Sequence, residues 1–325
     1  MLRISTAAGA IGPTLYVVRC TSFVLADSSS ARSKDSMKLI FSRKAFDSAA
    51  GGCASPIMPD GRLVPLPIPY RGAAIHYEDI TIGGHNLGRL VSDLTRGGHQ
   101  PHSGAHLDPD LDPGAYRRAD GWRPLFGQAD AAQVVLDRHG IGAGDVFLFF
   151  GWFRRVADRG GAFRFVSGAP DLHVLWGWLQ VDAVLKRPAA QAPAWAAYHS
   201  HCAPGVSWAH NTVYVATESL QIGLDRMPVR GGGVFQQYNR GLQLTKPGAT
   251  RSVWSLPRWF APSAGRRALG YHDDPDRWSL GPDRVELQAV SRGQEFVLDT
   301  AAYPESMQWL RELFSVSNTS STSGG

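Results

Sequence analysis

The sequence predicts an α+β fold in which a strand-rich, twisted or partly closed mixed sheet carries a few flanking helices. Strand-like segments outnumber helical ones and do not alternate with them regularly, which argues against a doubly wound parallel sheet. The 36 glycines and 21 prolines are spread evenly, and this indicates many turns and short strands. Apolar residues make up 43% of the chain and charged residues 19%, which is typical of a globular protein.

Period-two patterns and apolar runs bounded by turn residues predict seven strands: Leu39–Phe41, Val146–Trp152, Phe163–Val166, His173–Val184, Thr212–Ala216, Val253–Leu256 and Glu295–Leu298. Three helices follow from apolar residues recurring on one helical face and from residues typical of helix ends: Asn86–Leu94, Ala129–His139 and Pro304–Phe314. These elements supply the predicted sheet and its flanking helices.

Three parts are expected along the chain. Residues 1–36 are rich in Ser, Thr and Ala, and Arg19 interrupts their apolar stretch, so no clean signal peptide is present. We expect them to be a disordered leader or an upstream-start extension, because Met37 is followed at once by a predicted strand. Residues 37–314 are expected to form one domain, and the Ser/Thr/Gly-rich tail 315–325 is expected to be disordered.

Charge and cysteine content restrict the partners and the compartment. The first 36 residues hold four basic and two acidic side chains, so the net charge of +5 falls to +3 for the rest. That charge is too small to predict nucleic-acid binding by itself. Three cysteines do not make a disulfide framework, which favours a reducing, cytoplasmic compartment. No run of 18 apolar residues occurs, so no membrane partner is expected.

The first candidate site is the loop that follows the first strand, up to Gly52. Its Gly-Gly pair would let backbone N–H groups approach an anion, and its two cations would neutralise that anion. The spacing is not that of a Walker A loop. An ordinary polar turn is the alternative interpretation. The residues expected to hold phosphate are Ser42, Arg43, Lys44, Ser48, Gly51 and Gly52, with Asp47 as a catalytic carboxylate.

The second candidate is the segment 106–112, with one imidazole and three carboxylates. His106, Asp108 and Asp110 could act in acid–base catalysis or hold a cation. His106-x-Asp108 also has the spacing of two ligands of the facial triad in non-haem iron oxygenases. His272 is a candidate third ligand, with Arg284 as a partner for an acid group. A catalytic or nucleotide-binding carboxylate without stoichiometric iron is favoured over iron, and a solvated turn is the remaining alternative.

Aromatic residues beside polar ones suggest where a base could bind. Trp122, Arg123 and Gln128 lie in one short segment, where a ring could stack on a base while an amide reads its edge. Arg154 emerges at the end of the strand that begins at Val146. That strand and the one from His173 each contain a Gly-Trp pair, which could leave an indole-lined slot or simply pack. Core packing is favoured for the Gly-Trp pairs, and it is also an alternative for Trp122.

Histidines further along the chain add one more candidate. His199 and His201 are expected on one face of a strand, where they could ligate a metal together. Surface histidines are the alternative interpretation. No further ligand is identified by the sequence, so the metal and any other cofactor stay unknown.

Taken in order, these segments resemble the nucleotide modification associated domain 3 family. The resemblance runs from Lys38 to Phe314 and rests on FSRKxFDSxxGG, SPI, PLPIP, HLDPDL, GWRPxFGQ, GDxFLFFGWFR, GWLQV, NTVYV, WxLPxWF and QEFVLD. It implies a link to systems that modify bases or nucleotides, but it brings no assigned reaction and no catalytic residue. This chain has Ala45 before Phe46 where the family pattern has Gly.

The sequence therefore favours a protein that modifies a nucleobase in DNA or a free nucleotide, through the polar loop and the carboxylate segment. Nucleotide or DNA is the expected partner, with other base-modification proteins as further partners. A charge argument predicts that Arg43, Lys44 and Arg123 offset the carboxylates in one shared pocket. The alternative is a non-catalytic, PUA-like reader that binds a flipped base in an aromatic slot.

Overall fold

The computed structural model describes residues 37–318, with side chains described as far as Ser315. The helices of this range are α1 (Leu87–Leu94), α2 (Asp130–Arg138), the single turn α3 (Pro188–Gln191) and α4 (Glu305–Asn318). The strands are β1 (Lys38–Arg43), β2 (Ser55–Ile57), β3 (Thr81–Ile82), β4 (His85–Asn86), β5 (Leu125–Gln128), β6 (Val146–Asp158), β7 (Phe163–Phe165), β8 (Leu172–Lys186), β9 (Thr212–Ala216), β10 (Gln221–Ile222), β11 (Asp225–Arg226), β12 (Gly232–Val234), β13 (Val253–Pro257), β14 (Trp278–Leu280), β15 (Arg284–Gln288) and β16 (Glu295–Asp299).

The main sheet has nine strands and mixed direction, which is consistent with the predicted α+β fold. Its principal order is β16-β1-β6-β8-β9-β5, while β2 and β7 pair with β6 and β12 pairs with β8. β1 and β2 run parallel to β6, and the other pairs are antiparallel. The long central strands β6 and β8 read as apolar runs because both faces are covered over most of their length.

The two edge strands of this sheet approach each other through side chains. Gln128 ends β5 and Glu295 begins β16, and Gln128 Nε2 donates to Glu295 Oε1 at 2.5 Å. Between them, Phe126 packs against Phe147 and Phe149, each with ring centroids 5.1 Å apart. The sheet is therefore curled over an aromatic core without closing into a barrel.

Smaller elements cover the sheet. β13, β15 and β14 form a separate antiparallel sheet, and Trp254 of β13 packs edge-on to Phe150 of the main sheet at 5.1 Å. α4 packs Phe314 against Trp178 and Phe235. α1 begins after Asn86, whose side chain accepts from Gly88 N, and it belongs to a second apolar cluster with Tyr77 and Leu107.

All seven predicted strands and all three predicted helices are confirmed, with ends that shift by a few residues. The sequence missed β5, β15 and several two- or three-residue strands. The second Gly-Trp pair packs rather than leaves a slot: Trp178 lies against Phe235 at 4.8 Å, and a Cβ on Gly177 would lie 2.7 Å from Leu111. Trp152 of the first pair is only partly buried.

The tail prediction needs a correction at its start. α4 continues to Asn318, so the structure has residues 315–318 in a helix where disorder was expected. The predictions for residues 1–36 and 319–325 lie outside the described residues. Between residues 37 and 318, no helix is long and apolar enough to cross a bilayer.

Candidate functional site

Asp108 is the centre of a buried cluster of histidines beside β5. The segment that carries it is fixed to β5 by two backbone hydrogen bonds between Asp110 and Leu125, at 2.9 and 3.0 Å. This pairing brings Gly127 N to Asp108 Oδ1 at 2.6 Å. His199 Nε2 lies 3.2 Å from the same oxygen, and His201 Nε2 lies 3.8 Å from Oδ2. One carboxylate oxygen is thus held by the backbone, and the other faces an imidazole.

His201 is oriented by its own hydrogen bonds and by the absence of a side chain opposite. Its Nδ1 contacts Asn211 Oδ1 at 2.6 Å, and Asn211 Nδ2 donates to the His201 carbonyl at 2.9 Å. Since an amide oxygen only accepts, Nδ1 carries the proton and Nε2 keeps its lone pair. The ring lies directly over Gly127, where a Cβ would be 2.2 Å from His201 Cδ2. Only glycine therefore fits at this position of β5.

His106 completes a group of three side chains whose donor atoms converge. Its ring stacks on that of His201, with centroids 5.3 Å apart and planes 22° apart. His106 Nε2 is buried and has no hydrogen-bond partner among the described residues. One donor atom each from His106, Asp108 and His201 lie within 4.8 Å of one another. Two imidazoles and a carboxylate in this arrangement could hold a metal ion.

The protonation states of the cluster follow from burial and from Asp108. Burial lowers the pKa of His106 and of His201 to about 4, against the attraction of Asp108. Burial alone would raise the pKa of Asp108, but the surrounding imidazoles lower it to about 2. Burial also opposes the charge on His199, yet Asp108 and Cys202 raise its pKa to about 10. Near neutral pH, His106 and His201 are neutral and Asp108 is ionised.

The mouth of the cluster is aromatic. The Trp208 ring lies 4.7 Å from His201 and 5.8 Å from His106, measured between centroids. Tyr70 lies 5.5 Å from His106 and 5.7 Å from Trp208. Both rings are partly exposed, so they border the cluster on its solvent side. Neither ring was predicted from the sequence, because neither residue lies within a polar motif.

The contacts of Asp110 indicate that this carboxylate has a structural role. Its side chain is fully buried and is bound by Arg118 and by the Tyr198 hydroxyl, which in turn accepts from Trp122 Nε1 at 2.7 Å. Burial raises the pKa of Asp110 to about 6 despite Arg118. The expectation that Arg43, Lys44 and Arg123 offset the charge of this carboxylate is therefore wrong. Arg118, which stacks 4.8 Å from the Trp122 ring, balances it instead.

A second polar group joins β1, β5 and β16. Glu295 Oε1 accepts from Ser42 Oγ at 3.1 Å, from Lys44 Nζ at 2.9 Å and from Gln128 Nε2 at 2.5 Å. Lys44 also lies 4.9 Å from the Phe126 ring, and its charge contributes to the lowered pKa of His106. Ser42, Lys44 and Gln128 were expected to touch substrate. Their contacts to Glu295 fasten the two sheet edges beside the histidine cluster, and their role in substrate binding stays a prediction.

The glycine-containing loop binds its own carboxylate. Asp47 Oδ1 accepts from Ala49 N and Ala50 N at 2.8 and 2.7 Å, and Gly52 N donates to the Asp47 carbonyl at 2.9 Å. A Cβ on Gly51 would lie 2.3 Å from the Phe46 ring. The Gly52 amide is thus occupied within the loop, and Gly51 is required by the packing of Phe46.

The remaining charges of this loop face a groove. Arg43 donates to the Ser291 and Val290 carbonyls at 2.7 and 2.8 Å, which uses the outer nitrogens of its guanidinium. Ser48 is exposed, and with Arg43, Lys44 and Arg251 it lines a groove of ≈ 700 Å³. Asp108 and Asp110 do not line this groove. They share with Ala45 a separate cavity of only ≈ 20 Å³.

Several predicted partners lie in other contacts. His272 is not the third ligand: its Nδ1 contacts the Gly270 carbonyl at 2.8 Å, and its Nε2 accepts from Val290 N at 3.1 Å. The remaining predicted cations are held in structural bonds. Arg284 binds Ser255, Arg123 binds Asp182 and the Ala216 carbonyl, and Arg154 donates to the Val166 carbonyl.

The histidine pair was identified with the wrong local structure. His201 lies in a 3₁₀ turn, Ser200–Cys202, with His199 at its N-cap, and not on a strand. Both side chains are buried, at 1% and 4% exposure, so the surface interpretation is also wrong. The Tyr-His-Ser-His segment and Asn211 were the only sequence signals for the third member of the cluster.

The family model for nucleotide modification associated domain 3 matches residues 38–299. The chain belongs to this family. The match includes every member of the histidine cluster and both edge strands, while α4 lies beyond it. No curated protein and no solved structure matches the chain. Membership of the family therefore associates the chain with nucleotide modification. The reaction and the residues that carry it have to be inferred from the geometry of this chain.

Proposed function

We propose that the protein modifies a nucleobase, in DNA or in a free nucleotide, at the cluster of His106, Asp108 and His201. The observation that carries this proposal is the position of the cluster under two aromatic rings, in a member of a nucleotide modification family. Aromatic side chains bind bases by stacking. The ionised Asp108 and the neutral His106 and His201 lie next to these rings and supply the reactive atoms.

Burial of the cluster restricts how a substrate reaches it. Asp108 has 6% of its side chain exposed and His201 has 5%, so a base within a stacked duplex cannot contact them. An extruded or single-stranded base, or a free nucleotide, can approach them at Tyr70 and Trp208, whose rings contact each other at 5.7 Å and would have to separate to admit it. We therefore assign Tyr70 and Trp208 the base-binding role that the sequence analysis gave to Trp122, Arg123 and Gln128.

The groove beside the loop 42–52 supports a phosphate-binding role. Arg251 lies 4.3 Å from the Trp152 ring and shares the groove with Ser48 and Lys44. Lys44 is also close enough to His106 to lower the pKa of that imidazole. Lys44 therefore both lines the groove and acts on the histidine cluster through its charge, and this link supports binding of the phosphate of the same ligand in the groove. In this arrangement Arg43 and Asp47 shape the groove and need not bind the ligand.

The test compares nucleosides in cells that express the protein or its variants. DNA and the nucleotide pool are hydrolysed and analysed separately by mass spectrometry, which distinguishes the two substrate classes. Wild type is expected to give a new nucleoside, and Asp108→Asn is expected to remove it. Asp182→Asn is the matched control, because this half-exposed carboxylate pairs only with Arg123 among residues 37–318, and it should behave as wild type.

The alternative of a non-catalytic reader gives a different result. A reader would bind DNA with modified bases equally well in wild type and Asp108→Asn, and neither would produce a new nucleoside. That outcome would overturn the proposed function. The packing of Trp178 against Phe235, and of Leu111 over Gly177, counts against an aromatic slot at the second Gly-Trp pair and so against the reader interpretation.

A further inference from the structure

We infer that His106, Asp108 and His201 together bind one divalent transition-metal ion, with iron(II) as the native ion. The donor atoms of these three side chains lie within 4.8 Å of one another. They come from two segments far apart in sequence, and the pairing of Asp110 with Leu125 brings the first segment beside β5. This inference rests on the proposed function only in placing the reaction at the same residues.

Each of the three side chains keeps one donor atom free and directs it toward the others. Asp108 Oδ1 is held by Gly127 N, which leaves Oδ2 as a monodentate ligand. His201 Nδ1 is held by Asn211, which leaves the lone pair of Nε2. His106 Nε2 is buried without a hydrogen-bond partner among the described residues. A buried nitrogen without a partner is unfavourable, and metal ligation would satisfy it.

The surroundings have the features of an outer shell around a metal. The amide of Asn211 fixes the tautomer and the ring orientation of His201, as partners of ligating histidines usually do. His199 Nε2 lies 3.2 Å from Asp108 Oδ1, the carboxylate oxygen that is not assigned to the metal. A Cβ on Gly127 would overlap His201, so the backbone of β5 supports the ring directly.

The ligand set selects the class of ion. Imidazole nitrogens favour iron, copper, nickel and zinc, whereas magnesium and calcium prefer oxygen ligands. Two histidines and one carboxylate with open coordination positions are the set of non-haem iron(II) centres. Zinc also accepts three protein ligands of this kind in catalytic sites. The three-ligand set is thus the ground for proposing iron here, whereas the sequence alone favoured a centre without iron.

The experiment measures metal content without any assay of modification, so its failure and that of the proposed function can be distinguished. The full chain is purified anaerobically, and iron and zinc per chain are measured by elemental analysis. The variants are His106→Ala, Asp108→Asn and His201→Ala. His102→Ala is the matched control, since this histidine is exposed. Circular dichroism establishes that each variant is folded.

About one iron per wild-type chain, retained in His102→Ala and lost in all three ligand variants, is expected. If a ligand variant does not fold, cobalt(II) is added to metal-free wild type, where an absorption spectrum of a nitrogen- and oxygen-ligated ion should appear at one equivalent. Stoichiometric zinc that iron cannot replace would overturn the iron assignment. Absence of any stoichiometric metal, or retention of metal in all three ligand variants, would overturn the site itself.

Discussion

Replacing Gly127 by alanine should abolish the metal site while the fold persists. The new Cβ would lie 2.2 Å from His201 Cδ2 and 2.3 Å from Cγ. Because carbon atoms pack at about 3.5 Å or more, the ring would have to move by roughly 1.3 Å. Metal–nitrogen bonds in proteins tolerate only about ± 0.2 Å. The displacement of the ring is therefore several times larger than the change in metal–nitrogen distance that a bound ion tolerates.

The cost to folding is smaller than the cost to binding. Adding one methyl group to a packed interior destabilises a protein by about 1–3 kcal/mol, which leaves a domain of ordinary stability folded. Metal affinity should fall by more than the roughly 10–100-fold seen when outer-shell partners of a ligand are lost. The matched control is Gly142→Ala, whose Cβ would meet nothing closer than the Gly140 carbonyl oxygen at 4.0 Å.

The assay is a titration of metal-free protein with cobalt(II), followed by absorbance, with thermal melting of the same samples. Gly142→Ala should titrate as wild type does, and Gly127→Ala should melt at a lower temperature and show no saturating signal. A folded Gly127→Ala protein that binds cobalt with wild-type affinity would refute the reasoning, because the ring of His201 could not then be a ligand in its present position.

Three further changes test the rest of the structure. Arg118→Leu leaves the fully buried Asp110 without its cation, so urea unfolding should show a loss of about 3–5 kcal/mol; a loss no larger than that of exposed Arg117→Leu would contradict this. Ala45→Gly should stabilise by about 1 kcal/mol, since φ at Ala45 is +77°, and unchanged or lower stability would count against it. His173 has a pKa well below the ordinary value because of burial, so only the unfolded chain takes up this proton below about pH 6.5 and stability is lost as pH falls. His173→Gln should reduce that slope by up to about 1.4 kcal/mol per pH unit, and equal slopes in metal-free wild type and variant would be the opposite result.

Most of the fold could be predicted from the sequence because the burial of each strand or helix determines its pattern of apolar residues. β6 and β8 are covered on both faces, so they appear as long apolar runs that no helix periodicity fits. β5 was missed because Leu125–Gln128 is four residues long and contains a glycine, which usually weakens a strand. Here Gly127 is present for His201, a contact that only the tertiary structure reveals.

Only those residues of the candidate site that lie within one short segment of the chain could be predicted from the sequence. His106 and Asp108 were found because their spacing is a property of one segment. The third histidine depends on how distant segments meet, and sequence alone gave no reason to choose His201 over His272. The shared pocket of loop and carboxylates failed for a related reason. Asp47 satisfies its own turn and Arg118 satisfies Asp110, and such short-range pairings are invisible in a count of charges.

Anomalous diffraction from crystals of the full chain grown anaerobically with iron(II) tests the central claim most directly. Difference maps collected on either side of the iron absorption edge should show one strong peak in contact with His106 Nε2, Asp108 Oδ2 and His201 Nε2, at about 2.0–2.2 Å as for comparable first-row metal ligands. A peak at any other group of residues, or no peak at this cluster while the three side chains are ordered, would contradict the account.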